Sequence, residues 1–132
     1  MWRCAIAKST FNAEQRQRLE AGRKLATAAA NLAAQTLCSN IVVLDVAGIS
    51  PVTDYFLIAT GTSPRQMRTV SDEIEEMARK QGYSTLSRSG YEGESWILLD
   101  LVDVVVHIFS ADARQYYDLD NLWADARRVE CK

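Results

Sequence analysis

Hydrophobic and polar positions follow two periods along this chain. From about Ala13 to Leu37, apolar residues recur at helical spacing. Leu25, Ala29, Leu32, Ala33, Thr36 and Leu37 form one stripe, and Ser39-Asn40 ends it. Its alanine content favours helix and permits close approach to a sheet. Ile41–Val46 (IVVLDV) then reads as a short buried strand, and Ala47-Gly48-Ile49-Ser50-Pro51 as a turn. Thr53–Thr60 (TDYFLIAT) is a second strand. Its run Tyr55-Phe56-Leu57-Ile58-Ala59 is apolar throughout, as in a central strand covered on both faces.

A strand-to-helix turn follows at Gly61–Gln66. Ser63 is a natural N-cap, Pro64 suits the first helical position, and Gln66 completes a capping-box pattern. The helix runs to about Gln81. Met67, Val70, Ile74, Met77 and Ala78 form its buried stripe, and Gly82 stops it. The acids Asp72, Glu73, Glu75 and Glu76 fall mostly off that stripe, and Arg79 and Lys80 suit the negative end of the dipole. Tyr83–Ser87 is a weaker strand, and residues 88–94 are a loop.

The densest apolar run is Trp96–Phe109, interrupted only by Asp100, Asp103 and His107. It reads as two strands joined tightly near Leu101–Asp103. Ser110 caps a short helix to about Tyr117, and a last amphipathic turn runs from Asp118 to about Arg128. The connection between the last two strands is too short for a crossover, so they are antiparallel. The long helix between strands two and three implies a right-handed crossover and a parallel pair. The expected fold is α/β, a single mixed β-sheet of about five strands packed with helices.

Composition narrows the picture. The 132 residues suit one domain, with 48% hydrophobic and 24% charged residues. A net charge of −2 argues against a general nucleic-acid binder. The charge is uneven. Residues 1–88 carry 11 Lys/Arg against 8 Asp/Glu, whereas from 89 to 126 Arg114 alone stands against eight acids. Such an acidic segment fits a basic partner surface. Cys4, Cys38 and Cys131 are widely spaced, as in a reducing compartment. With no CxxC and His107 the single histidine, no metal or other cofactor is expected. Residues 25–34 follow Arg23-Lys24 like a signal core, but Glu14 and Glu20 precede them and no small-x-small cleavage site follows. No stretch is apolar enough to span a membrane, and the expected location is cytoplasmic.

No complete catalytic constellation is present. Gly61-Thr62-Ser63 at a helix start offers amides to a phosphate, but it has neither the Walker nor the GxGxxG spacing. Asp54, Asp100 and Asp103 are candidates for a two-metal carboxylate set, yet they come from different strand ends and form no DxD pair. His107 has no nearby nucleophile motif.

Several segments carry a resemblance. Leu44-Asp45-Val46, Thr53–Ser63, Trp96–Asp100, Asp103–Phe109 and Tyr117–Trp123 occur in the order and spacing of the ribosomal silencing factor (RsfS, or Iojap-like) family. The similarity covers roughly residues 23–125. Residues 23–128 are accordingly read as the domain, and 1–22 as an N-terminal extension and the start of the first helix. The resemblance implies a nucleotidyltransferase-like α/β sandwich without the catalytic acids. It further implies a non-enzymatic protein that docks on the fourteenth protein of the large ribosomal subunit and represses translation by blocking subunit joining. Val102 stands where that family usually has Gly, so a turn requiring positive φ would be strained here.

Too few helices are predicted to cover both sides of the sheet, so one face is expected to be at least partly open. By the two-residue period, Trp96, Leu98 and Asp100 share a face, and Asp103, Val105, His107 and Phe109 share a face. If these coincide, Trp96, Leu98, Asp100, Asp103, Val105 and His107 form an apolar patch with an acidic rim suited to a basic ribosomal protein. The opposite parity would bury Trp96 and Leu98 under the first helix. Two other readings stand beside docking: a nucleotide-binding or nucleotidyltransferase-like enzyme, and a module that pairs with itself as a homodimer.

Overall fold

The computed structural model describes residues 12–51 and 53–129. The expected N-terminal extension before Asn12, Cys4 and Cys131 lie outside the described residues. Helix α1 spans Ala13–Gln35. Asn12 and Gln15 close a reciprocal capping box, each side chain accepting from the other's amide at 2.8 Å. Gly22, Leu25, Ala26, Ala29, Ala30 and Ala33 form its buried face, and these small side chains bring the helix close to the sheet.

Strands β1 (Ser39–Asp45) and β2 (Tyr55–Thr60) follow. Helix α2 (Pro64–Lys80) buries Met67, Val70, Ser71, Ile74 and Ala78. Strands β3 (Ser87–Ser89), β4 (Trp96–Asp100) and β5 (Val104–Phe109) come next. Helix α3 (Ala111–Tyr117), the one-turn α4 (Leu119–Leu122) and strand β6 (Arg127–Val129) end the described chain.

The strands form one mixed sheet in the order β3-β4-β5-β2-β1-β6. The mixed α/β sheet is as expected, with three differences. The parallel pair is β2 with β5, not β2 with the strand directly after α2. The third strand sits at Ser87–Ser89 rather than Tyr83–Ser87, because its pairing is with Leu98–Asp100 of β4. A sixth strand replaces the end of the last expected helical segment: Arg127–Val129 pair antiparallel with Val43–Asp45. That ladder offers backbone partners that an exposed half-turn of helix lacks.

Helices α1 and α2 cover one side of the sheet. Beneath them Leu25, Ala29, Leu57, Ile74, Ile97, Leu99, Leu101, Val106 and Ile108 are fully buried. The other side carries a second, smaller cluster built on Leu44, Phe56, Ile58, Val105 and Phe109. Among the described residues outside the sheet, the short C-terminal elements reach it, through Ala113, Leu119, Trp123 and Ala126. Among the described residues, this unequal cover leaves part of one sheet face accessible.

Candidate protein-docking face

The two-residue period of β4 decides which side each residue takes. Ile97 and Leu99 point to the helices, whereas Trp96, Leu98 and Asp100 alternate onto the lightly covered side and stay half-buried. Antiparallel register sets Trp96 opposite Phe109, Leu98 opposite His107 and Asp100 opposite Val105. Five of the six expected site residues therefore share one face.

Asp103 does not join them. It lies outside β5, and its Cβ is 3.7 Å from where a β-carbon on Gly22 of α1 would stand. Burial there raises its carboxyl pKa, with the Arg18 guanidinium acting in the opposite sense. The turn explains the exception. The Asp103 amide donates to the Leu101 carbonyl at 3.0 Å, and Val102 between them has φ 75°. That γ-turn interrupts the extended backbone, so the alternation of β5 begins only at Val104.

Exposure separates the five residues into two layers. Trp96, Leu98 and Asp100 reach solvent, whereas Val105 is 8% and His107 6% exposed. Val105 and His107 are thus a floor rather than a contact surface. The Trp96 indole N–H donates to His107 Nδ1 at 3.2 Å. Because Nδ1 accepts, the proton of the neutral ring sits on Nε2, which is buried without a hydrogen-bond partner among the described residues. Burial pushes the His107 pKa down to about 4, keeping the ring neutral.

The face also holds aromatic residues that the sequence reading passed over. Tyr117 packs on Trp96 with ring centroids 4.6 Å apart, and Trp123 meets Phe56 edge to face at 5.1 Å. Phe56 in turn meets His107 at 5.2 Å. Exposed Tyr116 stands against Tyr117 at 5.0 Å. The available signal was the parity of Phe56 on the central strand, together with three aromatics in a short C-terminal segment.

Arg114 fixes that segment in place. It grips Asp120 through two nitrogens, at 3.0 and 3.1 Å, and donates to Thr60 of β2 at 2.9 Å. Burial works to raise the Asp120 pKa, but the Arg114 hydrogen bonds and charge outweigh it and hold the carboxyl below its ordinary range. Asp112, Asp118 and Asp125 are exposed on the same segment, so acids border the aromatic cluster.

The alternative sites have ordinary local roles. Ser63 Oγ accepts from the Gln66 amide at 3.1 Å, capping α2 as expected. The capping box is only half formed, because Gln66 Oε1 accepts from the Thr62 amide rather than that of Ser63. The Gly61 amide donates to the Phe109 carbonyl at 2.7 Å, so three amides of the Gly61–Gln66 turn are used within the chain. Among the described residues, no three His, Cys, Asp or Glu side chains converge as a metal site would require. No helix among them is long and apolar enough to cross a membrane.

Comparison with known proteins identifies this arrangement. The family model described as ribosomal silencing factor during starvation, RsfS, matches residues 19–132. The chain belongs to the ribosomal silencing factor family. The Ribosomal silencing factor RsfS of Halalkalibacterium halodurans is 40% identical over 108 residues, covering 82% of this chain and 92% of that protein. The Bacillus subtilis RsfS is 45% identical over 87 residues, 66% of this chain and 74% of that protein. The chloroplastic Iojap protein of Zea mays is 32% identical over 105 residues, 80% of this chain but 46% of its own length. A crystal structure from Bacillus halodurans superposes with TM-score 0.67 at 38% identity, covering 81% of this chain and 94% of that one. A Chromobacterium violaceum structure gives TM-score 0.72 at 28% identity, with 80% and 86% covered. The Halalkalibacterium halodurans and Bacillus subtilis relatives are named as silencing factors rather than as enzymes, and the RsfS fold agrees with the mixed sheet described above.

Proposed function

We propose that this RsfS-family chain docks on the large ribosomal subunit through the β4–β5 face, at the subunit's fourteenth protein, and represses translation by obstructing subunit joining. The observation that carries the reading is half-buried Trp96, set beside Leu98 and Asp100 on the sheet face that the two long helices do not cover. A partly exposed indole held by a part-buried hydrogen bond is a preorganised anchor, and interface hot spots favour such residues. Asp100 and the exposed acids of the C-terminal segment complement a basic protein surface.

In this reading residues 23–128 form the functional domain, the protein works in the cytoplasm, and it acts by occupying space rather than by chemistry. Val105 and His107 support the contact layer, while Asp103 braces the hairpin against α1. Self-association is a separate proposal, supported by exposed Tyr116 at the edge of the aromatic cluster. Sedimentation at varied concentration without ribosomes reads it directly.

The test is binding to purified large subunits. Wild-type chain is expected to pellet with them, and Trp96→Ala to weaken docking by more than about 1 kcal/mol. Equal affinity in that variant, with its fold intact by circular dichroism, removes Trp96 from the interface.

A further inference from the structure

The tip of the β4–β5 hairpin holds a conformation that its residue disfavours. Three residues, Leu101-Val102-Asp103, connect the strands. Val102 has φ 75°, a region that suits glycine and opposes a β-branched side chain. The tip is over-determined by hydrogen bonds. Asp103 N–H donates to the Leu101 carbonyl at 3.0 Å, Leu101 N–H to the Val104 carbonyl at 2.9 Å, and Val102 N–H to Asp100 Oδ1 at 2.9 Å. The Asp103 carbonyl also accepts from the amides of Asp54 and Tyr55, each at 3.1 Å.

None of these bonds uses the Val102 side chain. Glycine would make all of them without strain. Nor does the isopropyl group serve the core, because Val102 is 49% exposed. The free chain therefore bears two unfavourable features at one residue, a strained backbone and an apolar group in water. Strain of this kind persists where the surrounding structure enforces it, and it concentrates at functional positions. Asp100, which holds the Val102 amide, is also a member of the docking face.

We infer that Val102 is a specificity contact of this docking face. Its side chain enters an apolar recess on a protein surface, and a Lys or Arg beside that recess meets the Asp100 carboxylate. The inference rests on the reading of the β4–β5 face as the docking site. Within it, Val102 is a knob at the hairpin tip, and Trp96 is the anchor at the far end of β4.

The experiment measures thermal stability and large-subunit binding for wild type, Val102→Gly, Val102→Asn and Trp96→Ala. Glycine relieves the strain, so Val102→Gly is expected to raise the unfolding midpoint by about 5 °C. Burial of the valine is lost, so the same variant is expected to bind about tenfold more weakly. Asparagine tolerates positive φ and offers no apolar group. Val102→Asn is expected to keep the wild-type midpoint or exceed it, and to lose the same affinity. This rules out added hairpin flexibility as the cause. Wild-type binding that both Val102 variants retain, while Trp96→Ala loses it, overturns the role of Val102 and leaves the docking face standing. A wild-type chain that does not bind large subunits overturns the face and the Val102 contact together.

Discussion

His107 shows how a single buried ring can set the behaviour of a surface. Its Nδ1 accepts from Trp96, its Nε2 has no partner among the described residues, and burial lowers its pKa to about 4 against 6.5 for a free histidine. The folded chain thus binds this proton less well than the unfolded chain. Stability from His107 is complete above pH 6.5 and declines as pH falls toward 4, by about 3 kcal/mol over that window. Protonation of Nδ1 would also remove the acceptor for Trp96. Denaturant unfolding of wild type and His107→Gln across pH 4 to 7 is expected to show a steeper loss on acidification in the wild type. Parallel curves would place the burial cost elsewhere. At this scale the sequence was legible wherever the backbone stayed extended. Two-residue alternation grouped Trp96, Leu98 and Asp100 on one face and Val105 and His107 on one face, and left open whether the two coincide. It failed at Asp103, where the γ-turn breaks the period; the β4–β5 register brings the two groups together. The strain at Val102 was legible too, but only once a tight turn was assumed there.

Among the elements, two small residues show how closely the parts fit. Gly90 in the loop between β3 and β4 has φ 76°, and a β-carbon there would stand 2.0 Å from the Trp96 carbonyl oxygen. The contact is with backbone and cannot relax by rotating a side chain. Gly90→Ala is expected to cost more than about 2 kcal/mol and to displace the start of β4, lowering both the melting temperature and the docking affinity. Ser71 makes the opposite case. Its hydroxyl is buried in the face of α2 that packs on the sheet, without a hydrogen-bond partner among the described residues. Ser71→Ala is expected to leave stability unchanged or raise it by about 1 kcal/mol in denaturant unfolding. A loss of that size would reveal a hydrogen bond made by the hydroxyl in solution.

The helices were the most readable elements, because Asn12, Ser63 and Ser110 all act as N-caps in the folded chain, and Ser63 and Ser110 were recognised as such from sequence. Strand β6 was not readable. Arg127-Arg128-Val129 carries no alternating pattern, and its partner β1 lies more than eighty residues away in sequence. The α2 crossover was foreseen, but not that its parallel partner would be β5. Choosing among later strands requires knowing that β4 and β5 pair first as a hairpin.

For the whole molecule, the division of labour follows from unequal cover. Two long helices seal one side of the sheet, and short C-terminal elements leave the other side with an exposed aromatic and acidic border. Because acids border the proposed docking face, its binding to a basic surface should weaken as salt rises. Association at 50 mM salt should be faster than at 300 mM, with most of the change in the on-rate. Salt-independent association would indicate apolar contacts alone. The central claim is that this face blocks subunit joining by occupancy. The direct measurement is gradient sedimentation of purified large and small subunits mixed under joining conditions, with wild-type chain or Trp96→Ala added. The account predicts that wild type moves material from joined ribosomes to free subunits and migrates with the large subunit, whereas Trp96→Ala does so only at higher concentration. Undiminished joining at saturating wild-type chain would contradict it.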